Sequence, residues 1–212
     1  MRSLTLLLAG VMLATPAFAR PITYPGGSMA MLEHADEYWT SEVMYTPSAR
    51  YSLGLRSEYD GEDNRQFQGI SANILAYRHN ARDGQTNVYL LTSAGVASSD
   101  RASLHGKTGA AGVLGLEADW ENRRFLVLGQ VKGFAAEGID KTLTWRGRVG
   151  VAPYVGEYGD LHTWLMLQVD HEPESSRPVN VSGIVRFFKG PVLFEIGSSF
   201  KGDAFASAMF YF

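Results

Sequence analysis

The sequence predicts an all-β protein, an antiparallel transmembrane β-barrel of about twelve strands. Three observations favour this fold. Apolar and polar residues alternate with the two-residue period of a β-strand, turn-forming residues separate the alternating segments, and aromatic residues stand near the segment ends. A barrel of ten strands and a soluble β-sandwich or lipocalin-like domain are the alternative folds.

The amino-terminal residues have the pattern of a secretory signal peptide. Arg2 precedes an apolar run at residues 4–13, and the small-residue motif AFA follows at residues 17–19. The apolar run is too short to span a bilayer as a helix, so a membrane anchor is the weaker interpretation. We expect cleavage after Ala19, with residues 1–19 as signal peptide and residues 20–212 as a single barrel domain.

The composition excludes several classes of function. The chain of 212 residues has no cysteine and a formal net charge of -3. The absence of cysteine excludes disulfide scaffolds and thiolate metal sites. A charge so close to zero gives no reason to expect a nucleic-acid partner. Phosphate-binding and dinucleotide-binding motifs are absent from the sequence, which therefore indicates no cofactor.

Twelve segments are predicted to be strands, because each combines alternation with β-branched or aromatic residues and most of them end at turn-forming residues. In chain order they are 28–35, 38–46, 51–59, 66–78, 86–97, 107–120, 123–134, 142–155, 161–171, 179–189, 191–201 and 204–212. The apolar face of the last segment consists of Ala204, Ala206, Ala208, Phe210 and Phe212.

The alternation is clearest in the second half of the chain, and segment 161–171 illustrates it. One face of this segment has Leu165, Leu167 and Val169. The other face, which we expect to line a polar interior, has Met166, Gln168 and Asp170. A soluble sheet and a membrane barrel have the same two-residue period. The soluble sheet buries its apolar face in a core, whereas the membrane barrel turns that face outward to lipid, so the period alone does not distinguish them.

Connection lengths favour the membrane barrel. With the amino terminus on the periplasmic side, the tight links TPSA, ENR and KGP fall on that side. The longer, charged links YDGEDNR, SSDRASLHG, EGIDK and EPESSRP fall on the other side. Membrane barrels of this type have short periplasmic turns and longer outer loops. Three links depart from the rule: RHNARDGQ and EYGD are long for the inner side, and KGD is short for the outer side.

Aromatic residues on the predicted outward faces favour the same assignment. They stand close to where a strand meets its turn, as the interfacial girdles of a membrane barrel require. These residues are Trp39, Tyr51, Tyr59, Trp120, Phe125, Trp145 and Phe212.

The signal peptide, the alternating strands and a final strand that ends in Phe212, with Phe210 two positions earlier, resemble Gram-negative outer-membrane β-barrels. This resemblance implies a location in the outer membrane, contact with its lipid, and an assembly signal in residues 204–212 that the barrel-assembly machinery recognises. The stretches YPGG at residues 24–27 and ARYSLGLRSEY at residues 49–59 also resemble an uncharacterised proteobacterial envelope family. That second resemblance implies no activity.

Charged residues on the predicted inward faces indicate a polar network inside the barrel. Acids and bases are nearly balanced among them, which favours mutual neutralisation in a narrow interior. The alternative is a pore for a small solute, in which Arg146 and Arg148 select small anions. The residues of the predicted network are Glu42, Arg56, Glu58, Glu117, Asp119, Lys132, Arg146, Arg148, Asp170, Arg186, Glu195 and Lys201.

Three other functions compete with a barrel that has no catalytic activity. An outer-leaflet lipid-modifying enzyme needs a nucleophile, a histidine that activates it and a group that orients the histidine. No spacing of the five histidines is typical of a hydrolase, so no catalytic residue is assigned. A soluble periplasmic ligand-binding β-domain would turn the apolar faces inward. Met29, Met31 and Glu33 share a face that could hold copper. Such methionines more often fill a packed interior, so no metal ligand is assigned.

Overall fold

The structure is a computed structural model that describes residues 20–157 and 159–212. The predicted signal peptide, residues 1–19, lies outside the described residues. The strands are β1 Ser28–Ala35, β2 Tyr38–Ser48, β3 Tyr51–Asp60, β4 Arg65–Ala81, β5 Gly84–Ser99, β6 Lys107–Glu121, β7 Phe125–Ala136, β8 Asp140–Val151, β9 His162–His171, β10 Val179–Lys189, β11 Val192–Ser199 and β12 Ala204–Tyr211.

These strands form one closed antiparallel barrel. Each strand pairs with its neighbours in sequence, and β1 pairs with β12 to complete the ring. The prediction of an antiparallel twelve-strand barrel is confirmed, and the ten-strand barrel and the β-sandwich are wrong. The described residues include no helix long and apolar enough to cross a membrane.

The two ends of the barrel are distinguished by the chain termini. At the end where β1 begins and β12 ends, the Ser28 amide donates to the Phe212 carbonyl at 2.6 Å. We call this the terminal end and the opposite one the loop end. The prediction of a long RHNARDGQ link at the terminal end is wrong, because β4 and β5 extend until only residues 82–83 separate them.

The link between β8 and β9, also at the terminal end, is longer than predicted. Strand β8 ends at Val151, whereas the sequence indicates a strand to residue 155. Pro153 lies just beyond, and proline lacks the N–H that a strand needs for pairing. Residues 152–161 therefore connect the two strands.

The apolar faces of the strands point outward. On the outer surface, 66% of Leu55, 65% of Ile70 and 62% of Leu114 is exposed, whereas inward-facing Glu58 and Glu195 are 4% and 1% exposed. A water-soluble barrel would have the reverse arrangement. The predicted girdle aromatics are all exposed: Trp39, Tyr51, Tyr59, Trp120, Phe125, Trp145 and Phe212.

The interior also contains apolar clusters, of which the sequence indicated only the methionine packing around Met29. Met166 was predicted to face a polar interior, and this is wrong, because it packs with buried Leu126, Trp164, Ile184 and Phe205. Met166 does point inward as the alternation predicts, but its neighbours on β9, on the adjacent β10 and on other strands are apolar. A second cluster includes Phe67, Val113 and Phe134, and a third consists of Met29, Met44, Leu193 and Met209.

Candidate functional site

The candidate site is a cavity of about 520 Å³ in the barrel interior. At the loop end its lining includes Glu62 and Arg177, which belong to the β3–β4 and β9–β10 links. At the terminal end its lining includes Arg20 and Pro21, which precede β1. The cavity therefore follows the barrel axis from the loops to the segment before β1.

The cavity lining has more carboxylates than basic side chains. Among the described residues, nine arginines and lysines line it: Arg20, Arg56, Arg65, Arg101, Lys132, Arg146, Arg148, Arg177 and Arg186. The acidic residues of the described lining number thirteen: Glu33, Asp36, Glu37, Glu42, Asp60, Glu62, Asp63, Glu117, Asp140, Asp170, Glu172, Glu174 and Glu195. With these groups ionised and His171 neutral, the described lining has an excess of four negative charges.

One group of ion pairs is built on β2, β3 and β7. Arg56 and Glu42 are directly opposite across β2 and β3, with 3.7 Å between guanidinium and carboxylate. The Arg56 Nε donates to Glu58 at 2.7 Å, because residues two apart on a strand share a face. The Lys132 ammonium approaches Glu58 at 3.7 Å from β7. Four of the predicted network residues therefore form one contiguous group.

A second group, the Glu195 cluster, consists of Glu195, Arg186, Arg148 and Gln168. Arg186 Nε donates to Glu195 at 2.6 Å, and Arg148 Nη1 donates to the same carboxylate at 3.1 Å. Arg148 Nε also donates to the Gln168 amide oxygen at 2.8 Å. Strand register places Arg186 opposite Glu195 and Arg148 opposite Gln168. All four side chains are buried, so the cluster is a desolvated network held by complementary partners.

Arg146 joins two sides of the barrel. Its Nε donates to Asp170 at 2.7 Å across the β8–β9 register, and its Nη1 donates to Glu33 of β1 at 3.2 Å. Together with the Glu195 cluster, these bonds give Arg146 and Arg148 carboxylate partners. The geometry therefore does not favour the hypothesis that these two arginines are available to select anions.

The other predicted network residues have different surroundings. Glu117 accepts a hydrogen bond from Gln130 at 2.7 Å, and Asp119 accepts one from Asn87 at 2.8 Å. Lys201 was predicted to face the lumen, and this is wrong. Strand β11 ends at residue 199, and Lys201 is an exposed turn residue whose ammonium donates to the Val179 carbonyl at 3.0 Å.

Arg65 is a buried cavity residue that the sequence analysis missed. Its guanidinium donates to Asp140 at 2.9 Å and to Asp60 at 2.8 Å, and it lies 4.0 Å from the Phe134 ring centre. The predicted strand began one residue later, so Arg65 was assigned to a turn. Its position two residues before inward-facing Phe67 is the signal that could have identified it.

Asp60, Asp63 and Asp140 form a cluster of carboxylates at the loop end, and the pKa of one of them, Asp63, is raised. Burial, and then the neighbouring carboxylates of Asp140 and Asp60, raise the pKa of Asp63 to about 6, while Arg101 opposes that change. Asp63 lies in the link between β3 and β4. Asp63 therefore takes up a proton at higher pH than an ordinary aspartate, which makes the negative charge of this end of the cavity sensitive to acidification.

The residues considered for metal binding and catalysis have structural contacts. Met29 is buried in the methionine cluster and Glu33 bonds Arg146. In the described part of the chain, no group of three or more histidine, aspartate or glutamate residues is arranged to hold a metal ion. The His34 ring stacks on Trp39 with 4.1 Å between centres, and His171 Nδ1 lies 2.8 Å from the Pro178 carbonyl oxygen.

The barrel is similar to solved outer-membrane porins. A structure of the KdgM porin in complex with disordered oligogalacturonate matches with a TM-score of 0.53 and 9% identity, over 88% of this chain and 99% of that chain. Another structure of the KdgM porin matches with a TM-score of 0.51 and 8% identity, over the same shares of both chains. No protein-family model matches the chain, and no curated protein matches it in sequence. At such low identity the likeness shows the transmembrane barrel fold.

Proposed function

We propose that the chain is an integral outer-membrane β-barrel of a Gram-negative cell, whose lumen is a narrow path for small solutes. The observation that supports this most is the inverted distribution of side chains, apolar on the outside and paired charges around a 520 Å³ cavity inside. In this proposal residues 1–19 direct export and are removed after Ala19. The resemblance of YPGG and ARYSLGLRSEY to an uncharacterised envelope family stays a prediction.

The terminal strand is the proposed assembly signal. Phe210 and Phe212 are 50% and 66% exposed on the outer surface, beside the closing pair of β1 and β12. Outward aromatics at this position can contact both lipid and the barrel-assembly machinery. We therefore keep both as proposed partners, together with a small solute.

The location is tested with single cysteines in a chain that has none of its own. We expect the protein in the outer-membrane fraction, with a cysteine at Leu167 reached by a lipid-soluble quencher. A cysteine at Thr144, which lines the cavity, should instead react with a small water-soluble thiol reagent. Recovery in the soluble periplasmic fraction, or reaction of the Leu167 cysteine only with the water-soluble reagent, would refute membrane insertion.

The proposed solutes are small cations and small uncharged polar molecules. The excess of four negative charges repels anions, and a narrow, low-dielectric lumen strengthens that effect. The KdgM porin was solved with oligogalacturonate, a chain of acidic sugars. We propose that this barrel differs from that porin in the charge of the solute that it favours.

The charge preference is tested by the reversal potential in a planar bilayer with a KCl gradient. We expect a reversal potential whose sign shows that K⁺ is more permeant than Cl⁻. Replacing both Glu37 and Glu174, which are exposed carboxylates of the cavity mouth, with lysine changes the net charge of the lining by +4 and should abolish the preference. Glu137→Lys is the control, because Glu137 is exposed near the loop end outside the cavity lining. A Cl⁻ preference in the unmodified protein would refute the proposed solute class.

A further inference from the structure

The residues before β1 form a turn that reverses the chain. The Gly27 amide donates to the Tyr24 carbonyl at 2.9 Å, and Gly26 has φ of +84°. With Pro25 before Gly26, this is the arrangement of a type II β-turn, which requires positive φ at its third residue. A Cβ atom on Gly27 would lie 2.7 Å from the Tyr24 ring. The YPGG stretch therefore has a local structural function, and we call residues 20–27 the N-terminal hook.

The hook contacts strands on different sides of the terminal end. The Ser52 hydroxyl of β3 donates to the Pro21 carbonyl at 2.8 Å, and the Thr23 amide donates to the Thr46 hydroxyl of β2 at 3.3 Å. The Arg20 guanidinium pairs with Glu121 at the end of β6. Because β3 and β6 are separated by two other strands in the ring, the hook extends across the barrel opening.

The hook also limits the cavity. Arg20 and Pro21 are part of the cavity lining, whereas Thr46 and Ser52, which bond the hook, are 0% exposed and line no part of it. Ile22 is 3% exposed and is the hook's buried apolar anchor. Solvent in the cavity therefore meets the hook before it meets the terminal-end residues that the hook covers.

We propose that the N-terminal hook is the gate of the lumen, and that solutes pass when it leaves the terminal end. This inference rests on the proposed function as a solute path. The hook is suited to release because the contacts described for it, the Arg20–Glu121 ion pair, the hydrogen bonds to β2 and β3 and the buried side chain of Ile22, are fewer than those of the continuous ladders that hold the strands. The Arg20–Glu121 pair is the contact whose loss should most favour the open state, since it is the ion pair that ties the start of the hook to β6, beyond the contacts with β2 and β3.

The first experiment measures single-channel activity of the full chain in planar bilayers. We expect Glu121→Gln to raise the open probability on the order of tenfold, the ratio that corresponds to a loss of 1.4 kcal/mol from the closed state. Glu137→Gln, the same change at an exposed loop-end carboxylate, should leave the open probability unchanged. An unchanged open probability in folded Glu121→Gln would overturn the gate.

A second variant tests the gate without removing its ion pair. The Thr23 and Thr46 hydroxyl oxygens are 3.1 Å apart, so these two side chains face each other and we expect cysteines at both positions to form a disulfide. No other cysteine is present to compete. We expect the oxidised protein to stay closed, and reductant to restore the openings of the unmodified chain, which itself should not respond to reductant.

The outcomes separate the gate from the proposed function. Equal activity of the Thr23→Cys/Thr46→Cys protein before and after reduction, with the disulfide verified by mass, would overturn the gate while the barrel remains a pore. If Glu121→Gln does not fold, the disulfide variant decides alone. Absence of all channel activity in protein that the Leu167 cysteine shows to be inserted in lipid would overturn both the gate and the solute path.

Discussion

Replacing Glu195 with alanine is expected to lower the free energy of unfolding by about 3–5 kcal/mol, the cost of removing one partner from a buried ion pair. Glu195 accepts from Arg186 at 2.6 Å and from Arg148 at 3.1 Å. The side chains of Arg186 and Arg148 are 3% and 7% exposed. The variant therefore leaves two buried guanidinium groups without their shared carboxylate. Urea unfolding of protein refolded into lipid vesicles, followed by tryptophan fluorescence, measures the change.

Two comparisons make the Glu195 result specific. Glu174→Ala removes an exposed loop carboxylate and should change the free energy of unfolding by less than about 0.5 kcal/mol. The triple variant Glu195→Leu/Arg148→Met/Arg186→Met removes all three charges and should recover most of the loss, because no buried charge is left unpaired. If Glu195→Ala unfolds at the same urea concentration as the unmodified protein, the cluster is hydrated and contributes little.

Leu167→Lys is expected to lower the free energy of unfolding of the barrel in a bilayer by about 2–4 kcal/mol. A lysine at the middle of the lipid-facing band has neither water nor an ionic partner. Leu167 lies at the middle of β9 and is 43% exposed on the outer surface. If that surface faced water, lysine there would cost less than about 0.5 kcal/mol. Stability alone therefore distinguishes a membrane barrel from a water-soluble one, since the structure shows that Leu167 is not in a protein core.

Thr142→Lys is the control for lysine on the cavity side of the wall, nearer the loop end than Leu167. Thr142 lines the cavity from β8, and Asp140 lies two residues earlier on the same face. A lysine at this position meets water and a carboxylate, so we expect a much smaller loss than at Leu167. Met166 and Gln168, the neighbours of Leu167, are unsuitable controls. Met166 packs in an apolar cluster, and Gln168 bonds Arg148, which a lysine would repel. A loss at Thr142 as large as that at Leu167 would contradict a hydrated cavity on the inward side of β8.

The strands were predictable because their signal is local. The two-residue alternation of segments 28–35 and 179–189 agrees with the bounds of β1 and β10 residue for residue. The predicted strand ends were wrong where the alternation of apolar and polar residues faded gradually into polar residues. Strands β4 and β5 continue through RHNARDGQ to a two-residue turn, and β11 stops before Lys201. Polar residues at strand ends resemble turn residues in sequence, and only the pairing with a neighbouring strand distinguishes them.

The contents of the candidate site were only partly predictable. Opposite charges that face each other across adjacent strands, such as Glu42 with Arg56 and Arg186 with Glu195, follow from alternation once the register is known. Contacts across the lumen do not. Glu33 and Arg146 are 113 residues apart, and Arg20 and Glu121 are 101 residues apart. No local pattern relates such positions, because strand tilt and stagger decide which side chains meet inside a barrel.

The sequence by itself determined three features: an antiparallel β-protein, about twelve strands, and the set of residues that share a face on each strand. It could do so because strand periodicity and turn chemistry act over a few residues. Tertiary structure decided the rest. Closure of β1 on β12 completed the ring and made the inward faces line one enclosed lumen. Closure also brought Arg148, Arg186 and Glu195 into one cluster, placed Met166 among apolar side chains, and positioned the N-terminal hook across the terminal end. These features depend on the ring order and tilt of all the strands together. Alternation within one strand does not contain this information, because it is the same whichever side of the sheet becomes the interior.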